Sequence, residues 1–175
     1  RFNLQERIVE GDWLDSVEAL DGVATRRTTV TVEHPKSILT RNSSPDVGFD
    51  RSINAYRGCE HGCIYCFARP THAYHDLSPG VDFESRLFVK PNAAQLLHAT
   101  LSRPGYECAP IAMGTNTDPY QPIEERWRVT RSIIELLVET RHPFSITTKS
   151  DRVLRDMDLL KPAAELGIVS VALSV

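Results

Sequence analysis

Three cysteines crowd into the stretch Arg57-Gly58-Cys59-Glu60-His61-Gly62-Cys63-Ile64-Tyr65-Cys66-Phe67, spaced C-x3-C-x2-C. Thiolates are the usual ligands of iron-sulfur clusters, and a cubane has four irons to satisfy. Three thiolates leave one iron open, and an open coordination position separates a metal centre that does chemistry from a closed, structural one. Gly58 and Gly62 free the loop to take left-handed conformations and let backbone approach a cluster. The plainer alternative is zinc, with His61 or a remote cysteine as fourth ligand. Such sites come as two CxxC units or as paired cysteines and histidines, whereas this loop is one dense group. His61 lies between two of the cysteines, where a shared tetrahedron demands a very tight chain. Cys108, the fourth cysteine, precedes an apolar run at 109–113 and reads as a buried, inert thiol.

The chain that must hold this loop has 175 residues, 41% hydrophobic and 25% charged, enough for one domain with a real core and unlike a disordered segment. A net charge of -3 gives no general attraction to polyanions, so a nucleic-acid partner has no support from charge, although a local basic patch stays open. The apolar stretches are too short to cross a bilayer, and no basic stretch followed by an apolar run opens the chain. Clustered cysteines fit metal ligation in a reducing compartment better than disulfides. The expected location is the cytoplasm, with no membrane partner.

Residues 1–50 read as an N-terminal extension with one short strand at the alternating Thr28-Thr29-Val30-Thr31-Val32 and a turn at Asn42-Ser43-Ser44-Pro45-Asp46. From residue 51 short apolar runs alternate with amphipathic segments, the rhythm of βα units. A strand at 53–57 runs into the cysteine loop, and a polar insertion fills 68–91. Asn92 is placed to cap a helix through 101, and 109–114 forms a second strand. After Pro122, Ile123, Trp127, Val129, Ile133, Ile134, Leu137 and Val138 recur at helical spacing, with Glu124, Glu125, Arg128, Arg131 and Glu135 as a solvated face. A third strand at 144–148, a helix capped by Asp151 and closed by Gly167, and a fourth strand at 168–175 complete the series. Such strands pair in parallel through right-handed crossovers. The expected fold is therefore α/β, a partial (β/α) barrel over 51–175 truncated after about four strands, whose unpaired last strand implies further βα units.

The C-x3-C-x-aromatic-C loop after the first strand of such a barrel resembles the radical S-adenosylmethionine (SAM) superfamily. Gly114-Thr115-Asn116-Thr117-Asp118-Pro119-Tyr120 and Thr147-Thr148-Lys149-Ser150 resemble its spore photoproduct lyase branch, often labelled DNA-repair-photolyase-like. The resemblance runs from about Arg41 to the last residue. It implies an enzyme in which Cys59, Cys63 and Cys66 hold a 4Fe-4S cluster. The open iron chelates the amino and carboxylate groups of SAM, and an electron from a donor such as flavodoxin or ferredoxin cleaves it to a 5'-deoxyadenosyl radical that takes hydrogen from a substrate.

The same resemblance implies that Tyr65 packs near the adenine, that Gly114 and Thr117 lie at the amino group, and that Lys149 pairs with the carboxylate beside Ser174. Without it, Tyr65 is a core aromatic, Thr115 to Asp118 a polar turn with Asp118 capping, and Ser174 a hydrogen-bonded core hydroxyl. Thr115 stands where the lyase has a hydrogen-donating cysteine, so the branch label does not carry photoproduct repair with it. A non-catalytic zinc or iron-sulfur module docking nucleic acid or protein is the competing reading. His72 and His75, in the polar insertion, are expected to be exposed.

Overall fold

The computed structural model describes residues 7–9 and 28–175. In chain order the strands and helices are β1 (Arg7–Val9), β2 (Thr29–Val32), β3 (Leu39–Arg41), β4 (Arg51–Ile53), β5 (Tyr56–Arg57), α1 (Val81–Ser85), β6 (Arg86–Val89) and α2 (Ala93–Leu101), followed by β7 (Ile111–Met113), α3 (Glu124–Trp127), α4 (Val129–Glu139), β8 (Phe144–Thr148), α5 (Met157–Glu165) and β9 (Val169–Leu173). They build two sheets, ordered β1-β2-β6-β5 and β3-β4-β7-β8-β9.

In the larger sheet β4, β7, β8 and β9 pair in parallel in their sequence order, and β3 adds an antiparallel edge. All three residues of β7 are buried, so neither face of this strand is open to water. Ile133, Ile134 and Leu137 of α4 join Ile111, Phe144 and Ile146 in the main core. The fold is mixed α/β, with no closed barrel among the described residues. No helix of the described residues is long and apolar enough to cross a membrane.

The expected strand at 53–57 divides between the two sheets. Ile53 ends β4 in the larger sheet, while β5 pairs antiparallel with β6 in the smaller one. At the switch, the Lys90 backbone N-H donates to the Ala55 carbonyl (3.1 Å) and its ammonium to the Asn54 carbonyl (2.8 Å). The polar insertion conceals β6, whose Leu87, Phe88 and Val89 are buried and which runs parallel to β2. Strands before residue 50 thus pair with strands after it.

Burial pulls the Lys90 pKa down to about 8, with Arg57 adding to the effect. The unfolded chain then holds this proton more tightly than the folded one. Stability on this account rises as pH climbs from about 8 towards the ordinary lysine value of 10.5. Urea titrations should show that rise, and Lys90→Met should remove it. A rise of the same size in the variant would assign it elsewhere.

Several local expectations are corrected. Asn92 precedes α2, but its side chain makes no capping bond, and its Oδ1 is buried without a hydrogen-bond partner. The helix expected after Pro122 breaks at Arg128, whose φ of 50° is left-handed. Glu124, expected on a solvated face, is fully buried. The break turns its carboxylate onto the start of α4, where it accepts the N-H groups of Thr130 (2.9 Å) and Arg131 (3.2 Å), two donors a helix leaves without internal partners. Tyr56 and Arg155 complete its bonds.

Ser150, not Asp151, caps the next helical segment by accepting the Arg152 N-H at 3.2 Å, and its first turns over Asp151–Asp156 are 3-10 before α5 begins. Gly167 does close α5: at φ 69° it lets its own N-H reach Ala164 O (2.9 Å) and that of Ile168 reach Ala163 O (3.1 Å). Cys108 is exposed rather than buried, because β7 begins only at Ile111. His72 is fully buried and donates through Nε2 to Arg86 O (2.9 Å), while His75 is half-buried against Phe88.

Candidate active site

The cysteine loop leaves β5 through Gly58, at φ 76°. A side chain here would meet Leu87 Cδ2 at 2.6 Å and Phe83 O at 2.8 Å, so only glycine brings the next residue this close to the underlying layer. Cys59 then donates its N-H to Phe83 O (2.9 Å) and packs with Phe83 and Ala68, with Cys66 partly buried beside it. Arg69 gathers the rest of the loop, donating from Nε to Cys63 O and from Nη2 to Gly62 O, each at 2.9 Å, and pairing with Glu84.

The opposite wall comes from the carboxyl ends of β7 and β8, where α/β sheets place their ligands. Gly114, at φ 87°, carries the chain out of β7 tight against β8. Asn54 holds the turn that follows, accepting the Asn116 N-H (2.9 Å) and donating to the Thr115 hydroxyl (3.0 Å). Thr117 is buried, and its hydroxyl donates to Tyr56 O (3.4 Å).

Asp118 fastens the two strand ends together. Its Oδ1 accepts the Tyr120 N-H (2.8 Å) and the Thr148 hydroxyl (2.6 Å), and its Oδ2 accepts the Lys149 N-H (2.7 Å). His61 Nε2 lies 3.5 Å from Oδ2. Burial opposes ionisation of Asp118, but His61, the Thr148 hydroxyl and the two backbone N-H groups outweigh it and hold the carboxyl below the usual range. The Lys149 ammonium donates to Ser174 Oγ (3.1 Å) and sits 5.2 Å from the centre of the Tyr65 ring. Tyr65 raises its pKa, so it stays charged.

These walls border an open cavity of about 210 Å³. Every residue assigned from the sequence lines it: Cys59, Cys63, Cys66, Tyr65, Gly114, Thr117, Lys149 and Ser174. Tyr65 is largely exposed at the cavity rather than a core aromatic, and Ser174 is exposed just beyond β9 rather than a core hydroxyl. Phe67 and His61 also face the cavity.

All three loop cysteines are free thiols. Burial pushes the Cys59 thiol up to about 12. No three His, Cys, Asp or Glu side chains among the described residues are grouped to hold a metal ion between them. A cubane makes a different demand, because each thiolate binds its own iron. Free thiols along one wall, with a charged lysine and hydroxyls across the cavity, fit a cluster with a polar ligand at its open corner.

The chain is 46% identical to an uncharacterized protein of Mycobacterium tuberculosis over 127 residues, covering 73% of this chain and 37% of that protein. An uncharacterized protein of Mycobacterium bovis matches with the same figures. An uncharacterized protein of Methanocaldococcus jannaschii is 34% identical over 116 residues, 66% of this chain and 41% of that protein. The chain thus spans well under half the length of these relatives. No family model matches it, and no solved structure matches it significantly.

Sequence reading missed how the site is held. Asn54 and Gln121 gave no signal, being single amides outside any motif. Asp118 was legible only as a turn cap, since its bonds to Thr148 and Lys149 cross 30 and 31 positions of sequence.

Proposed function

We propose that this chain carries the cofactor site of a radical SAM enzyme, with Cys59, Cys63 and Cys66 as ligands of a 4Fe-4S cluster. The observation that supports it is convergence: eight residues spread over 116 positions, chosen for one chemistry, line one cavity. When bound, the cluster supplies the electron that splits SAM into methionine and a 5'-deoxyadenosyl radical able to take hydrogen from a substrate.

The chain's own residues bind and orient. Lys149, kept charged and steadied by Ser174, receives the SAM carboxylate in a charge-assisted hydrogen bond. Gly114 and Thr117 present polar atoms of the β7 turn to the amino group, and Tyr65 flanks the adenine. Asp118 also lines the cavity, but both of its carboxylate oxygens are already engaged by Tyr120, Thr148 and Lys149. By holding the Lys149 backbone it fixes where that ammonium can reach. The buried underside of Cys59, formed by Phe83 and Ala68, shields that side of the cluster from water. The electron donor is a small reductant such as flavodoxin or ferredoxin, and the setting is the reducing cytoplasm.

Anaerobic reconstitution tests the proposal. Iron and sulfide should each reach about four per chain, and adding SAM and dithionite should release 5'-deoxyadenosine. A colourless product without iron, or one zinc per chain and no SAM cleavage, would overturn it. Lys149→Ala should keep its iron and weaken SAM binding by about 10- to 100-fold, the worth of a hydrogen bond to a charged group, as read by equilibrium dialysis. Unchanged affinity would remove Lys149 from the carboxylate site.

A further inference from the structure

We infer that Gln121 is a positioning residue for Cys59, its side-chain amide clamping the peptide on either side of that cysteine so that the sulfur faces the cavity. The inference rests on the cluster reading for its purpose, though not for its geometry. Gln121 is fully buried in the segment between β7 and α3. Its Nε2 donates to Gly58 O (3.2 Å), and its Oε1 accepts the Glu60 N-H (3.2 Å). Both polar ends of one buried amide therefore go to the two neighbours of Cys59, and the Cys59 N-H goes to Phe83 O at 2.9 Å.

The clamp is itself anchored. Gln121 donates its backbone N-H to Asp118 O (3.4 Å) and accepts that of Glu124 (2.9 Å), which ties it to the segment bearing the cavity's carboxylate. Glu60 answers in the reverse direction, its Oε2 accepting the Ile123 N-H at 3.0 Å and its Oε1 the Thr28 hydroxyl at 3.1 Å. A carboxamide offers a donor and an acceptor side by side without carrying charge. A methionine of similar length fills the space and makes neither bond, leaving a buried carbonyl and a buried N-H without partners.

The three ligands are accordingly held in different ways. Cys59 is buried and fixed from both sides, whereas Cys63 and Cys66 are only half-buried and Arg69 reaches the loop there through the Gly62 and Cys63 carbonyls. Cys59 is thus the most firmly held of the three proposed ligands.

Selective alkylation of the metal-free protein reads this directly. With iodoacetamide and mass spectrometry, Cys59 should label on the order of tenfold or more slowly than Cys63 and Cys66, as a buried thiol does. Gln121→Met should raise Cys59 labelling about tenfold while leaving the rates at Cys63 and Cys66 unchanged. A merely structural role would raise all three together, and that result, or an unchanged Cys59 rate, would overturn the inference. Should Gln121→Met fail to fold, Gln121→Leu, which likewise makes neither bond, should show the same selective rise at Cys59.

On reconstituted protein, the electron paramagnetic resonance spectrum of the reduced cluster should change in the variant, because the hydrogen bonds and exposure around its sulfurs change. Wild-type protein that takes up no iron but labels as expected sinks the cluster reading and leaves Gln121 in its role. Normal iron uptake with identical labelling and spectra in the variant sinks the role of Gln121 and leaves the cluster reading standing.

Discussion

Replacing Cys63 with alanine is expected to lower iron and sulfide from about four each per reconstituted chain to near none, while the metal-free protein keeps its fold. The separation is possible because the Cys63 thiol does little for the fold. Among the described residues the sulfur's hydrogen-bond partner is His61 O, at 4.0 Å, and the residue is half-buried. The bonds that shape the loop at this point use its carbonyl, which accepts from the Cys66 N-H and from Arg69 Nε, and alanine keeps that carbonyl. The stability change should stay within about 0.5 kcal/mol, so unfolding curves of the metal-free wild type and variant should overlay.

Cys59 offers no such clean test, because its side chain fills a buried site against Phe83 and Ala68. Full iron content in Cys63→Ala would remove Cys63 from the ligand set. Loss of iron together with a large loss of stability would show that the thiol's role is structural.

What could be read in advance follows the range of the interactions concerned. β8 was expected at 144–148 and lies at Phe144–Thr148, because an apolar run between a helix end and a cap is a local signal. Gly167 closes α5 for an equally local reason, a left-handed backbone that glycine adopts freely. Glu124 was misread because helical spacing assumes an unbroken helix. The turn at Arg128 and the partners Tyr56 and Arg155, 68 and 31 positions away, decide its burial. His72 was misread in the same way, since a histidine in a polar stretch shows nothing of the Arg86 carbonyl and the Phe83 ring that enclose it. Of the proposed site residues, which line one cavity, the three cysteines stood out by type and spacing, whereas Tyr65, Gly114, Thr117, Lys149 and Ser174 were picked out by the resemblance. The side chains that hold them, Asn54, Asp118 and Gln121, join segments far apart in sequence and leave no periodic trace.

Gly114→Ala is expected to be among the most disruptive single substitutions in the molecule, and the reason lies where the two strand ends meet. At φ 87° an alanine carries the left-handed penalty of about 1–2 kcal/mol. Its Cβ would also drive into the Thr147 carbonyl oxygen and lie 3.1 Å from Pro119 Cδ. The carbonyl has little room to withdraw, because Thr147 is held in register with Ala172 of β9, and such overpacking costs about a further 1–3 kcal/mol. The total, about 2–5 kcal/mol, approaches the whole stability of a small domain. Relief requires β8 to move away from β7, which pulls Thr148 and the Lys149 N-H from Asp118. SAM affinity should therefore fall even in molecules that remain folded. Urea unfolding should place the midpoint far below that of the wild type, whereas Gly48→Ala, with nothing within 4 Å of the added carbon, should change the stability by no more than about 0.5 kcal/mol. Equal midpoints for Gly114→Ala and Gly48→Ala would mean that the β7 and β8 ends are not held at this separation, and the placement of Lys149 at the cavity would fall with it.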